Sequence, residues 1–400
     1  MGGSERRNLQ HHTATKKTCT PNSIPRYHSR MRPQPIDVGK FVSETKSIIT
    51  SAIAHAERAT ILYHADVDGL CAAATLQEFI SLNSSAQVQS EWIPTSEFHF
   101  RNFTKRFPNK HQTQYLSVDI NFTSREGFLK NLNDIYGNNL IIIDDHFVNN
   151  NELEHLSFIN PNNKSHQYRE LASSLYCYEL LTCISKNVPN WVALLGLYFD
   201  RQINIYEHLF DQSYNRKQFD YAIRLLSVEF LDENCNRVDG YSLKFLRSSI
   251  KKSLSWDQFY QILDGDDFLY DKLCQNESEI SKCVSLAKAK SRRIISKNGN
   301  ILIITDFQSS LQIANIVSSQ LRGSHKNGIY LAIRRGDVNS QFEVRLGHRV
   351  EGVDLVALIT EISKEVDLLN HGGHMRAAGG GLLSVNLEMF IDSAIRILAE

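Results

Sequence analysis

One imidazole and two carboxylates fall within five positions in Thr60-Ile-Leu-Tyr-His64-Ala-Asp66-Val-Asp68-Gly69. The residues before them are apolar or β-branched, so a strand is expected to run up to this cluster and stop. Carboxylates held this close repel each other, and such a group either takes up protons or binds cations. The pattern recurs along the chain. Asp119 closes Tyr115-Leu-Ser-Val-Asp119, and Asp144, Asp145 and His146 close Leu140-Ile-Ile-Ile. Asp200 and Arg201 end the apolar run that starts at Trp191. Imidazole mixed with carboxylate suits Mn²⁺, Fe²⁺, Co²⁺ or Zn²⁺ better than Ca²⁺. The set is too large for one ion and fits two sharing a carboxylate, a device of phosphoester hydrolysis. Each residue alone has a plainer account: Asp68 as a helix cap, Asp200 as a partner of Arg201, a histidine as a surface residue. Carboxylates at three strand ends and one helix end together favour the metal site.

The elements that must position these groups alternate. A helix is expected over 37–57, a strand over 60–65, and a helix from Gly69. Strands follow at 115–120 and 140–144, with helices near 168–186 and 190–200. That alternation predicts an α/β fold with a mostly parallel sheet and helices on both faces. In such sheets ligands bind beyond the carboxyl ends of the strands, where these acids fall. Residues 215–265 read as mixed helix, and Asp264-Gly-Asp-Asp267 as a solvated turn rather than a metal loop. A long charged helical pattern over 270–297 resembles a connector. After Asn298-Gly-Asn300 a second, smaller α/β unit is expected. It has strands at 301–305, 329–334 and 341–346, helices near 310–322 and 353–366, a Gly-rich loop, a strand near 381–385 and a closing helix. The expected division is a basic disordered arm (1–35), a metal-binding catalytic domain (36–265), a helical connector (266–298) and a C-terminal domain (299–400).

Composition narrows the class. The chain has 400 residues, 42% of them hydrophobic, enough for two ordinary cores. No apolar stretch is long enough to span a membrane, and the polar N-terminus does not read as a secretory signal. Seven cysteines, odd in number and never spaced as CxxC, predict reduced thiols and a cytoplasmic location. Net charge is zero, yet residues 1–35 carry seven Arg and Lys against Glu5 alone. This arm could contact a polyanion or be a solvated tail.

Taken in order, these residues resemble the DHH phosphoesterase superfamily. His64-Ala-Asp66-Val-Asp68-Gly69 is similar to its first motif in RecJ-like members, and Ser117-Val-Asp119 to the second, a metal-bridging aspartate. Asp144-Asp145-His146-Phe147 stands in the place of the Asp-His-His signature. Gly196-Leu-Tyr-Phe-Asp200-Arg201 resembles the fourth motif. His371-Gly-Gly-His374-Met-Arg376-Ala-Ala-Gly-Gly380 resembles the Gly-Gly-His-x-x-Ala-Ala-Gly signature of the DHH-associated domain. The resemblance spans about residues 60–385. It departs at the third motif. In one register Asp145-His146 keeps the first two letters and Phe147 replaces the second histidine; in the other Asp145 replaces the first. The former preserves His146 as a ligand.

The resemblance implies a two-metal phosphodiesterase. Two divalent cations, Mn²⁺ with Mg²⁺ or Co²⁺ as substitutes, would be held by His64, Asp66, Asp68, Asp119, His146 and Asp200. Asp68, Asp119 and His146 would be catalytic, with Asp119 as the bridge. Gly372 and Gly373 would let the backbone approach a phosphate, with His374, Arg376 and Arg345 donating to its oxygens. The implied substrates are single-stranded nucleic acid or short oligonucleotides, cleaved as an exonuclease or oligonucleotide phosphodiesterase would. Two alternatives stay open. One is hydrolysis of a cyclic dinucleotide or small phosphorylated metabolite; the other is an inactive binding protein that kept the fold.

Overall fold

The computed structural model describes residues 36–93, 100–120, 122, 128–144, 157–161, 171–200, 202–206, 215–232, 238–296, 299–322, 324–374 and 376–399. The basic arm, Asp145, His146, Phe147 and Arg201 lie outside the described residues. Helix α1 (Val38–Ala54) buries Val38, Val42, Ile49 and Ile53 on one stripe and leads into β1 (Arg58–His64). There follow α2 (Val67–Asn83), β2 (Gln87–Ile93), α3 (Phe100–Arg106), β3 (Thr113–Val118), α4 (Phe128–Tyr136), β4 (Leu140–Ile143) and β5 (Ser157–Ile159). Among the described residues these strands form one sheet in the order β2-β1-β3-β4-β5. Every pairing is parallel. Strand β2 was not expected, because Gln87-Val-Gln-Ser-Glu carries polar residues on both sides; it is an edge strand, with its first three positions in contact with water.

Both faces of this sheet are covered, which is why β3 and β4 read as nearly unbroken apolar runs. Ile61, Tyr63, Leu116, Val118, Ile141 and Ile143 pack on the side of α2, together with α5 (Ser173–Thr182) and α6 (Trp191–Phe199). Leu62, Tyr115, Leu140 and Ile142 face Phe103 of α3 and Leu129 and Leu132 of α4. Helix α2 is buried at every position from Val67 to Ile80, as expected for a helix enclosed by other elements on all sides. Short α7 (Ile203–Tyr206), α8 (Arg216–Leu226), α9 (Tyr241–Lys251) and α10 (Trp256–Asp264) complete this half. Stacked Phe219 and Trp256 rings, 4.5 Å apart, join α8 to α10.

Asp264-Gly-Asp-Asp267 is a turn between helices. Gly265 caps α10, and the Asp266 carboxylate accepts from the Leu269 amide to start α11 (Asp267–Lys290). The expected helix to residue 297 stops at Lys290. Arg292–Ile295 instead form β6, an edge strand antiparallel to β7 (Ile301–Gln308). Then come α12 (Ala314–Leu321), β8 (Gly328–Arg335), β9 (Asn339–Leu346), α13 (Leu355–Ser363), β10 (Leu368–His374), β11 (Ala377–Leu383) and α14 (Leu387–Ala399). The described strands of this second sheet run β10-β11-β9-β8-β7-β6. Only β7 and β8 pair in parallel. The Gly-rich segment expected to be a loop is the β10–β11 hairpin, in which Gly372 pairs with Gly379 and His374 with Ala377. Backbone pairing with a neighbour outweighs the weak strand preference of glycine there.

Helices α13 and α14 cover one face of this sheet, while α11 and α12 pack over β7 and β8 on the other. The two halves meet where the Gln312 amide donates to Leu231 O at 2.8 Å and Lys272 pairs with Asp232 at 2.6 Å. No helix of the described residues is long and apolar enough to cross a membrane.

Candidate metal centre

His64 is the last residue of β1. The chain turns there at once into α2, with the Asp66 amide donating to His64 O at 2.9 Å. Asp66 caps the helix, its Oδ1 accepting from the Gly69 amide at 2.9 Å. Gly69 is required by this turn, since a Cβ on it would lie 2.5 Å from His64 O. The other Asp66 oxygen, Oδ2, lies 2.5 Å from His64 Nδ1. Asp119 follows β3, the neighbour of β1, and brings its Oδ2 within 3.6 Å of the same nitrogen. Its backbone is left-handed, φ 58°, a strained conformation that aspartate tolerates better than most residues. The Asp119 amide donates to Ile143 O at 3.0 Å, which anchors the strained residue to β4. Donor atoms of His64, Asp66 and Asp119 all lie within 4.8 Å of one another.

The electrostatics agree with this convergence. Burial pushes the His64 pKa down, but the adjacent Asp66 carboxylate outweighs it, helped by Asp200 and Asp144, and the net shift is upward. Asp66 moves the opposite way. Burial pushes it up, while charge and hydrogen bonding from His64 and the Gly69 amide bring it below the usual value. Asp144, at the end of β4, is buried and is anchored by its amide to Ile159 O at 3.2 Å. Asp200 caps the carboxyl end of α6. Both therefore act on the His64 charge, although neither joins the close three-residue group among the described residues.

Asp68 also anchors a second helix. It is fully buried, and its two oxygens accept from the Ser173 and Ser174 amides at 2.8 and 3.2 Å. A carboxylate at the amino end of α5 is favoured by both these amides and the helix dipole. Helix α6 approaches this anchor at Gly196, where a Cβ would collide with Asp68 and with Ser174 Oγ. Gln202 supports the same turn, its Oε1 accepting from the Ala172 amide at 2.8 Å. Sequence reasoning missed Ser173, Ser174 and Gln202. A glycine inside the apolar helix Trp191–Phe199 was the one available signal, because such a glycine usually marks close packing.

In the second sheet, Gly372, Gly373 and His374 lie on β10 and Arg376 in the tight turn that follows. The Arg376 guanidinium donates to Val350 O at 3.0 Å and Gly347 O at 2.6 Å. Arg345 pairs with Glu343 at 3.1 Å and donates from Nε to Ser318 Oγ at 3.2 Å. Both arginines expected to donate to phosphate are thus engaged with the protein itself. Glu343 was not anticipated: burial pushes its carboxyl up to about 7, against the downward pull of Arg345.

One imidazole nitrogen and two carboxylates converging this closely fit a divalent cation that accepts mixed nitrogen and oxygen donors. Neither protein-family models nor curated proteins give a match to the sequence. Solved structures do. A DHH domain described as a member of a family of ribosomal proteins superposes with TM-score 0.63 at 12% identity, covering 91% of each chain. Exonuclease RecJ bound to manganese gives 0.57 at 13% identity, over 90% of this chain and 93% of that one. CDC45 from Entamoeba histolytica gives 0.55 at 9% identity, over 90% of this chain and 99% of that one. The chain has the RecJ-like DHH fold.

Proposed function

We propose that this protein is a divalent-metal-dependent phosphodiesterase acting on single-stranded nucleic acid or short oligonucleotides. The observation that carries the reading is the group His64, Asp66 and Asp119 at the carboxyl ends of two adjacent parallel strands. Asp200 and His146 would complete the ligand set for two ions, with Mn²⁺ preferred. When bound, such ions acidify water and offset charge on phosphate oxygens. The chain's own residues supply the rest. Asp66 orients the His64 ring through its Oδ2, the anchored turn at Asp119 fixes that carboxylate, and Asp68 holds α5 against α2. We assign metal binding to residues 36–265, the link to 266–298, and substrate contacts to 299–400 through Gly372, Gly373 and His374. Arg345 would join them on release from Glu343. The RecJ structure, described as an exonuclease bound to manganese, supports this reading because it shares the fold. A cytoplasmic location belongs to the same reading, resting on the scattered cysteines.

A second reading, a small phosphorylated metabolite or cyclic dinucleotide as substrate, is favoured by the net charge of zero, since long nucleic acid usually selects a basic groove. Salt separates the two: binding of a strand falls steeply with ionic strength, binding of a small ligand weakly. The direct test is incubation of the purified chain with Mn²⁺ and 5′-labelled single strands and dinucleotides. Shortened products that disappear in Asp119→Asn are expected. Intact substrates under all conditions would contradict the proposal.

A further inference from the structure

A cavity of about 400 Å³ opens at the end of α6, lined by Tyr198, Phe199, Ile203, Asn204, Arg216 and Asp220 among others. Its lining flanks Asp200 in sequence: Phe199 is the residue before it, and Ile203 and Asn204 follow within four positions. Consecutive Cα atoms are about 3.8 Å apart, so the Phe199 backbone is next to that of Asp200, whose charge acts on His64. Every residue of α6 from Trp191 to Leu197 is buried, yet Phe199 leaves 37% of its surface in water. Tyr198 is held in place, its hydroxyl donating to Asp220 Oδ1 at 3.0 Å and its ring 5.5 Å from Phe219. Arg216 and Lys217 are the first two residues of α8, exposed, with no acid in that turn. Cations at a helix amino end oppose the helix dipole. Such a placement stabilises no helix, but it adds to the attraction that the same end exerts on an anion.

We propose that this cavity is a base-stacking subsite for the nucleotide next to the scissile phosphate. The base lies on the exposed Phe199 ring, its polar edge meets Asn204 and Asp220, and Arg216 with the amino end of α8 takes the adjoining phosphate. An aromatic face serves any base, because every base has a π-face, so the subsite selects nucleotides without selecting sequence. A volume of this size is in the range of small-ligand sites. The inference rests on the phosphodiesterase reading and deepens it.

The test compares a labelled dinucleotide with its abasic analogue, as the ratio of their kcat/KM values. Phe199→Ala is expected to reduce that ratio about tenfold, the change equivalent to about 1.4 kcal/mol and within the range for one stacked base. Phe199→Trp should restore it. The same ratio, read as equilibrium binding to the metal-free chain, keeps the subsite testable apart from hydrolysis. Binding that prefers the base and depends on Phe199, without turnover, supports the subsite and removes the hydrolase reading. A ratio unchanged by Phe199→Ala in both measurements overturns the subsite even if hydrolysis is present.

Discussion

Asp66 serves His64 and the helix that follows with different oxygens of one carboxylate: Oδ2 lies 2.5 Å from His64 Nδ1 while Oδ1 caps α2 through the Gly69 amide. The start of the helix and the start of the site are therefore one structural event. The two roles separate by substitution. Asp66→Asn keeps an oxygen for the cap and removes the charge, so Mn²⁺ affinity should collapse while stability changes little. Asp66→Ala removes both and should cost about 1 kcal/mol more. Calorimetric titration with Mn²⁺ and urea unfolding of the two variants check this.

Gly196 is where α6 meets the Asp68 anchor. Gly196→Ala drives a methyl group into Ser174 and Asp68, and overpacking of this kind costs about 1–3 kcal/mol. A lowered urea midpoint is expected. An unchanged midpoint would mean that α5 and α6 are free to separate and that Asp68 does not hold them.

Glu343 carries a pH signature. Its carboxyl is raised from 4.5 to about 7, first by burial, with Arg345 opposing. A folded pKa above the unfolded one means the native state holds the proton more tightly. The contribution of Glu343 to stability is then greatest below 4.5, falls as pH rises to about 7, and levels above it. The shift corresponds to about 3 kcal/mol. Glu343→Gln should remove this slope, measured as the difference from wild type in unfolding free energy at pH 5 and pH 8.

How much of this was legible follows from the kinds of signal involved. Strands β1, β3 and β4 are apolar runs because both faces are covered, and the acids that follow them announce the site end of the sheet. His64, Asp66 and Asp119 could be placed together for that reason. Asp68 could not be told from Asp66, since a two-residue spacing does not say which carboxylate turns to the strand end and which to a helix more than a hundred residues away. Arg376 looked available because its acceptors, Gly347 and Val350, are distant in sequence. The β10–β11 hairpin was hidden by its glycines, and β6 by Arg292 and Arg293, which continue the charged pattern of α11.

Uptake of Mn²⁺ by the full chain, measured by calorimetry beside Asp119→Asn, tests the central claim most directly. The account predicts two ions per wild-type chain and the loss of at least one in the variant, whose asparagine tolerates the same left-handed backbone. A wild-type chain that binds no Mn²⁺, or a variant that binds it as well as wild type, would contradict the metal centre.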